Sequence, residues 1–319
     1  MDKPAVVWPN DAHAAAMITV NFDADLFWLR LDPGSVNRVK TRSIGEYGAL
    51  RGAPRLLDAL RNAEVRSTWF ICTDLLERYG QLVERVANEG HCIADRGRGL
   101  DDFASLGHAD QLQVISLSRS GLEMVTGRPP KGFRSPGDVT EQTIDVLLGL
   151  GYEWSSITRG DDWPIYLAGT ATGSKALVDV PRSWDLDDTS RFLFNYGPPF
   201  PKGQGRISAY EAVLGDWTAE FDAIYENRGC YVLTLDPQGI GTPGRISLLE
   251  RLLQHIKAHD DVWLATGDEM NHWWRNTAPS ECWTPEVIRR REQHRLYHDE
   301  HLASHNRPGS VTTATGEKR

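Results

Sequence analysis

The sequence predicts an α/β fold in which a parallel sheet forms a barrel or an open, helix-covered layer. Three observations carry this. Short β-rich runs alternate with segments of helical apolar spacing over about 250 residues. Charged residues recur just past the ends of those runs, where the chemistry of a parallel barrel is built. No internal repeat is present, which excludes a solenoid or propeller.

The first strand is Met17 to Phe22, a β-rich run ending in Asp23 and Asp25. Leu56, Leu57 and Leu60 give Ala53 to Asn62 a helical apolar face. Arg66 to Ile71 is the second strand, and Asp74 to Asn88 a helix stopped by Gly90. His91 to Ala94 is a third strand leading into a loop rich in Gly, Arg and Asp. Helix Asp110 to Thr126, strand Gly132 to Arg134 and helix Glu141 to Leu150 follow. Short strands are predicted at Trp154 to Ser156, at Leu177 to Val180 ahead of Pro181, and at Tyr231 to Thr234. Helix Arg245 to His259 and strand Val262 to Ala265 complete the alternation. Residues 195–205 read as a Gly- and Pro-rich loop, and the chain from Asn306 onward as disordered.

With 319 residues, 40% hydrophobic and 25% charged, the chain suits a soluble globular protein with a substantial core. A net charge of -9 argues against nucleic-acid or anionic-membrane surfaces. Cys72, Cys92, Cys230 and Cys282 form no CxxC pair, so neither a thiolate zinc site nor a disulfide framework is expected. No apolar run approaches the roughly 18 residues of a membrane span, and the N-terminus shows no signal-peptide core, so a cytoplasmic location is expected. Asp23, Asp25, Asp95, Arg96, Arg134, Trp184 and Asp236 lie at or just past predicted strand ends and are the candidate site.

Five ordered segments resemble the polysaccharide deacetylase (NodB-homology) superfamily, and within it the branch of allantoinase, cyclic-imide hydrolases and a peptidoglycan-deacetylase-like enzyme. They are Trp8-Pro9 through Asn21-Phe22-Asp23-Ala24-Asp25; Arg66 to Phe70 with Gly90-His91-Cys92-Ile93; and Gly132-Phe133-Arg134-Ser135-Pro136. The fourth comprises Trp154 to Ser156, Gly160 to Pro164 and Pro181 to Asp188, and the last runs from Leu233-Thr234-Leu235-Asp236-Pro237 through Ala265 to Glu269. The resemblance implies a distorted, partial parallel β/α barrel over residues 1–275, with 276–319 as a polar extension. It also implies Asp23 as catalytic base and Asp25 as a metal ligand. The family's two metal-binding histidines fall at Arg96 and Leu100, and its late catalytic histidine at Asp236.

A catalytic zinc needs about three protein ligands, and Asp25 alone supplies one. The resemblance without its histidines therefore implies a site with no metal and no cofactor, in which the Arg96 guanidinium supplies the missing positive charge. Bound zinc lowers the pKa of water from 15.7 to about 7, on the order of 12 kcal/mol of activation. Without it, an activated substrate such as a cyclic ureide, imide or lactone is expected, or a related proton-transfer, lyase or isomerase reaction. The roles expected are Asp23 as base held by Arg134, Asp236 as acid or second base, and Arg96 stabilising negative charge. Asp25, Asp162, Trp163, Trp184 and Asp187 are expected to line the substrate pocket.

Two further readings stay open: a catalytically silent homologue that binds or regulates, and a metal-dependent C–N hydrolase with shifted ligands, for instance Asp25, Asp95 and Asp236. His91 reads as a wall residue. His294, His298, His301 and His305 read as a solvated helix face, and Trp263, Trp273, Trp274 and Trp283 as burying a C-terminal helix or a homo-oligomer interface. A small-molecule substrate, with no nucleic-acid or membrane partner, is the expectation.

Overall fold

The protein is represented by a computed structural model, which describes residues 7–170, 176–193 and 207–277. By contact density the chain divides into two units, Met1–Ala278 and Pro279–Arg319, and the second lies outside the described residues. Residues 195–205, the stretch from Asn306, the His294 to His305 stripe and Trp283 likewise fall outside them.

Strand β1 (Ala14–Phe22) is buried at every position, because both its faces are covered; its side chains therefore need no polar alternation. It leads into α1 (Leu26–Leu31) and α2 (Val39–Tyr47). A single π-type turn, Gly48–Gly52, joins α2 to α3 (Ala53–Asn62), which starts on Pro54 and buries Leu56, Leu57 and Leu60. Then come β2 (Thr68–Ile71), α4 (Leu76–Asn88), β3 (Cys92–Asp95) and α5 (His108–Thr126). The left-handed Gly127, φ 73°, stops α5. The order continues with β4 (Gly132–Phe133), α6 (Glu141–Gly149) behind a Thr140–Thr143 capping box, and β5 (Trp154–Ser155). Next are β6 (Ile165–Ala168), β7 (Ala176–Asp179) and the short α7 (Thr189–Phe192). The chain ends its described part with α8 (Tyr210–Glu226), β8 (Cys230–Leu235), α9 (Pro237–Ile240), α10 (Pro243–Lys257), β9 (Val262–Leu264) and α11 (Gly267–Thr277).

The sheet order is β6-β7-β5-β4-β3-β2-β1-β8, and β9 also pairs with β1. Since β8 occupies one edge of β1 from Ala15 to Val20, β9 takes the edge β2 leaves vacant below Thr19. Every pairing is parallel except β6–β7, so the curled sheet is mixed at one end, where the sequence alone reads as parallel throughout. A bridge between Asp187 and Thr234 brings the chain after β7 onto the outer edge of β8. The result is the partial β/α barrel expected. The short α1, α2, α7 and α9 went unread in the sequence, as did β6, whose polar flanks look like loop, and α8, whose buried Val213, Leu214, Trp217 and Phe221 do have helical spacing. Of the tryptophans singled out, Trp263 and Trp274 pack on Trp8 with centroids 6.1 and 5.9 Å apart. Among the described residues no helix is long and apolar enough to cross a membrane.

Candidate active site

Parallel registration builds the site. Phe22 pairs with Ile71 and Ile71 with Asp95, while Val20 pairs with Leu235. Asp23, Cys72, Arg96 and Asp236 therefore all emerge at one rim, the carboxyl ends of four adjacent strands. Ala24, between the two N-terminal carboxylates, is held at φ 45°, a left-handed conformation costing an alanine on the order of 1 kcal/mol. The turn lets the Asp23 carbonyl accept from Leu26 N–H at 3.0 Å and start α1.

Asp23 is 1% exposed and its carboxylate is saturated with donors. Arg96 grips it with two bonds, Nε to Oδ1 at 2.5 Å and Nη2 to Oδ2 at 2.9 Å. Arg30 adds a bond to Oδ2 at 2.8 Å, and the Cys72 thiol donates to Oδ1 at 3.0 Å. Burial by itself would raise the Asp23 pKa, but the Arg96 and Arg30 charges outweigh it and hold the carboxyl far below the usual range. Arg96 is buried too, and its Nη1 donates to the Ser135 carbonyl at 3.2 Å. Asp23 in turn keeps that guanidinium firmly protonated against the penalty of burial.

Asp236 is the opposite case. Its carboxylate accepts from Gln238 N–H at 2.9 Å and from Gln238 Nε2 at 3.2 Å. Burial first, and then the negative charge of Asp23, push its carboxyl up to about 8. The two carboxyls are thus pushed in opposite directions, Asp236 up and Asp23 down. Its backbone N–H donates to Asp188 Oδ1 at 2.8 Å. Burial, with the Asp236 and Asp187 charges, lifts the Asp188 carboxyl well above its ordinary value.

A glycine stripe at helical spacing fixes both carboxylate loops. A methyl on Gly45 would lie 2.5 Å from the Ala24 carbonyl carbon, one on Gly48 2.7 Å from Gln238 N, and one on Gly52 2.9 Å from the Pro237 carbonyl carbon. Side chains there would lift α2 and its π-type turn off the loops that carry Asp25 and Asp236.

The remaining predicted residues are distributed as follows. Asp25 is buried in an ion-pair cluster, with Arg78 Nη2 at 2.5 Å from Oδ1 and Arg42 Nη2 at 3.3 Å from Oδ2; burial opposes but these arginines lower its pKa. Arg134 does not hold Asp23, contrary to expectation. It fills the barrel interior, donating to Thr19 Oγ1 at 2.9 Å, Asn21 Oδ1 at 3.2 Å and Ser156 Oγ at 2.8 Å, with its guanidinium 4.0 Å above the Phe70 ring. Burial, then the Arg182 and Arg96 charges, lower its pKa well below the usual arginine range. Asp95 turns outward to Ser118 and Tyr152 and accepts from Gly97 N–H at 2.7 Å, so Asp25, Asp95 and Asp236 are not gathered as a ligand set.

Asp187 is tied to Arg182 at 2.9 Å and caps Thr189, while Trp184 is 73% exposed with Arg182 5.2 Å over its ring. Asp162 and Trp163 lie elsewhere: the Asp162 carbonyl accepts from Cys230 N–H and Trp163 Nε1 donates to the Arg228 carbonyl. Both contacts are at the start of β8, about 20 Å along the strand from Asp236 at 3.3 Å per residue. The pocket-lining role expected of these two is not compatible with that placement. His91 sits in the wall, its Nδ1 accepting from Ser67 N–H at 3.0 Å.

Arg30, Cys72, Arg42, Arg78, Gln238 and Asp188 were not singled out from the sequence. Gln238, inside the Asp236-Pro237-Gln238 turn, and Asp188, at the end of the Pro181 to Asp188 segment, carried a local signal.

These residues do not fit the divalent metal that the family resemblance implies. Both carboxylates that would ligate or flank it are saturated by arginines, and Arg96 stands at the sequence position the resemblance assigns to a ligating histidine. Leu100, at the second histidine position, is half-exposed.

Comparison with known proteins agrees with the architecture. The polysaccharide deacetylase family profile matches residues 46–155, from α2 to β5. The peptidoglycan deacetylase of Helicobacter pylori is 23% identical over 276 residues, covering 79% of this chain and 92% of that protein. A solved structure of an allantoinase superposes with a TM-score of 0.75 at 21% identity, covering 85% of this chain and 93% of its own, and shares the fold. A Mycobacterium smegmatis protein assigned to the polysaccharide deacetylases superposes with a TM-score of 0.80 at 30% identity, covering 86% of this chain and 95% of its own. At 30% identity over 95% of the Mycobacterium smegmatis protein, this chain belongs to the polysaccharide deacetylase family.

Proposed function

We propose that the chain is a metal-independent hydrolase of small, activated cyclic molecules, with a ring ureide or imide as the substrate class, and that Asp236 carries the proton. The observation behind this reading is the Arg96–Asp23 ion pair set beside Asp236. The Arg96 guanidinium, held by Asp23 whose charge Arg30 also offsets, supplies a fixed cation in place of the family's metal, and Asp236 supplies a carboxyl raised to about 8.

Asp23 is too weak a base for the role the resemblance implies, because protonating it breaks its bonds to Arg96 and Arg30. It acts as the anion that anchors Arg96. Nε and Nη2 of Arg96 each give one N–H to Asp23, and Nη1 gives one to Ser135. That leaves two of the five guanidinium N–H bonds for a developing oxyanion. In its ionised form Asp236 takes a proton from water as the water oxygen bonds to the ring carbonyl carbon. The tetrahedral oxyanion forms against Arg96. As the C–N bond breaks, Asp236 returns the proton to the departing ring nitrogen, giving a ring-opened acid and regenerating the carboxylate. A ring amide activated by a second carbonyl needs far less help than the acetamide of a polysaccharide.

The test is hydrolysis of a panel (allantoin, hydantoin, succinimide, glutarimide and a simple lactone) followed by NMR with and without EDTA. Turnover that survives the chelator and vanishes in Asp236→Asn supports the proposal; turnover that needs added metal overturns it. A second reading, a binding homologue without catalysis, is favoured by burial, since none of Asp23, Asp25, Arg96, Arg134 and Asp236 is more than 3% exposed. Saturable binding without turnover across the panel would establish that one instead.

A further inference from the structure

A separate group of titratable side chains lies at the far end of the barrel. Asp222 on α8, His255 on α10 and His259 in the turn that ends α10 have ligand atoms all within 4.8 Å of one another. Positions four apart on a helix share a face, and α8 packs along that face of α10.

The tautomers favour coordination. His259 Nδ1 lies 3.1 Å from the His255 carbonyl oxygen, which can only accept, so Nδ1 carries the hydrogen and Nε2 keeps its lone pair. This bond from the non-ligating ring nitrogen to a main-chain carbonyl is the arrangement that orients metal-bound histidines. His255 Nε2 faces Asp222 Oδ1 at 2.6 Å, sharing one proton that a cation would displace. Phe221 stands edge-on to both imidazoles, at 5.7 and 5.2 Å, and Tyr225 lies 4.6 Å from His259. The rings are thus held in place on their inner side. On the outer side the His255 and Asp222 side chains are 36% and 49% exposed, open to an ion and to its water. The carboxyl end of α10 adds its negative dipole.

We propose that Asp222, His255 and His259 bind a borderline divalent metal, Zn²⁺ in the first instance, with water in the fourth position. Two imidazoles and one carboxylate suit zinc and exclude Mg²⁺, which prefers oxygen donors and octahedral geometry. On binding, the proton between His255 Nε2 and Asp222 leaves Nε2, to Nδ1 of the same ring when the imidazole is neutral and to solvent when Nδ1 already carries its own, so that Nε2 of each neutral imidazole and one Asp222 oxygen bond the metal. The ion cross-links α8 to α10. These helices lead into and away from β8, the strand that delivers Asp236, so the metal clamps that unit without entering the rim site.

The test is thermal unfolding of the full chain at pH 7.5 in ZnCl₂ up to 100 μM, in MgCl₂, and in EDTA. Zinc should raise Tm and magnesium should not, because only a ligand that prefers the folded state stabilises it. Asp222→Asn and His259→Gln should each weaken the zinc dependence at least tenfold, and His255→Gln with His259→Gln should abolish it. These side chains are part-exposed, so the metal-free melts of the variants report whether each still folds; Asp222→Asn serves if a histidine variant does not. Changing His294, His298, His301 and His305 together to Gln should leave the zinc shift intact. No zinc shift, or a shift that survives the His255/His259 double variant or disappears with the other four histidines, overturns the proposal.

Discussion

Replacing Arg96 by Met removes the two bonds that hold the Asp23 carboxylate, at 2.5 and 2.9 Å, while keeping most of the side-chain volume. Asp23 is 1% exposed, so water cannot replace the lost donors. Leaving one partner of a buried ion pair unpaired costs about 3–5 kcal/mol. Arg30 remains at 2.8 Å with its side chain 17% exposed, which argues for the lower end, about 3 kcal/mol. With a urea m-value near 3 kcal/mol/M, the midpoint should fall by about 1 M. Adding Asp23→Asn should restore much of that loss, since the orphaned charge is gone, giving a coupling energy of roughly 2 kcal/mol in the double-mutant cycle. The pH dependence has a defined sign. Asp23 has a folded pKa depressed below its unfolded value, so its contribution is present above about pH 4 and lost as the pH falls. Arg96→Met should therefore move acid unfolding to higher pH. Additive single-variant costs, or an unchanged urea midpoint, would refute the claim that this guanidinium serves as the local counter-charge.

Asp236 should show the reverse linkage: its folded pKa is raised to about 8 from 3.8, so its contribution is full below pH 3.8, declines as pH rises and is gone by about 8. Asp236→Asn should flatten that part of the stability-versus-pH curve, read by denaturant midpoints across the range. If Asp236 is the proton carrier, kcat/KM for any ring substrate should rise with pH to a plateau above about 8, and this limb should be absent from the variant's residual rate. Gly45→Ala should destabilise by about 1–3 kcal/mol through overpacking against the Asp25 loop, whereas Gly80→Ala, with open space at that position, should not; equal midpoints for the two would dismiss the close-approach argument.

The strands and long helices were legible because their signals are local. Ala53–Asn62 has the same bounds in sequence and structure, and most other elements shift by a few residues at their ends. The antiparallel β6 was not legible, since its partner β7 lies beyond an intervening stretch and nothing in Ile165–Ala168 specifies strand direction. The site divides along the same line. Sequence placed Asp23, Arg96 and Asp236 at strand ends, and their distance from the family pattern was readable one position at a time. Which arginine holds which carboxylate was not readable. Asp23 and Arg96 are 73 residues apart, and Asp25 and Arg78 are 53 apart. Such pairs depend on sheet register and on the left-handed turn at Ala24, and neither leaves a periodic trace.

The sequence by itself determined the strand–helix alternation and the rim that carries its polar residues, because both follow from residue type and spacing along the chain; the choice of a barrel and the loss of the histidines came from the family resemblance. Only the tertiary structure decided that Arg96 takes Asp23 and Arg134 does not, that Asp162 and Trp163 belong to the other end of β8, and that the Asp236 carboxyl is pushed upward while that of Asp23 is held down. Burial and counter-charge set those outcomes, and both are properties of what folding brings together.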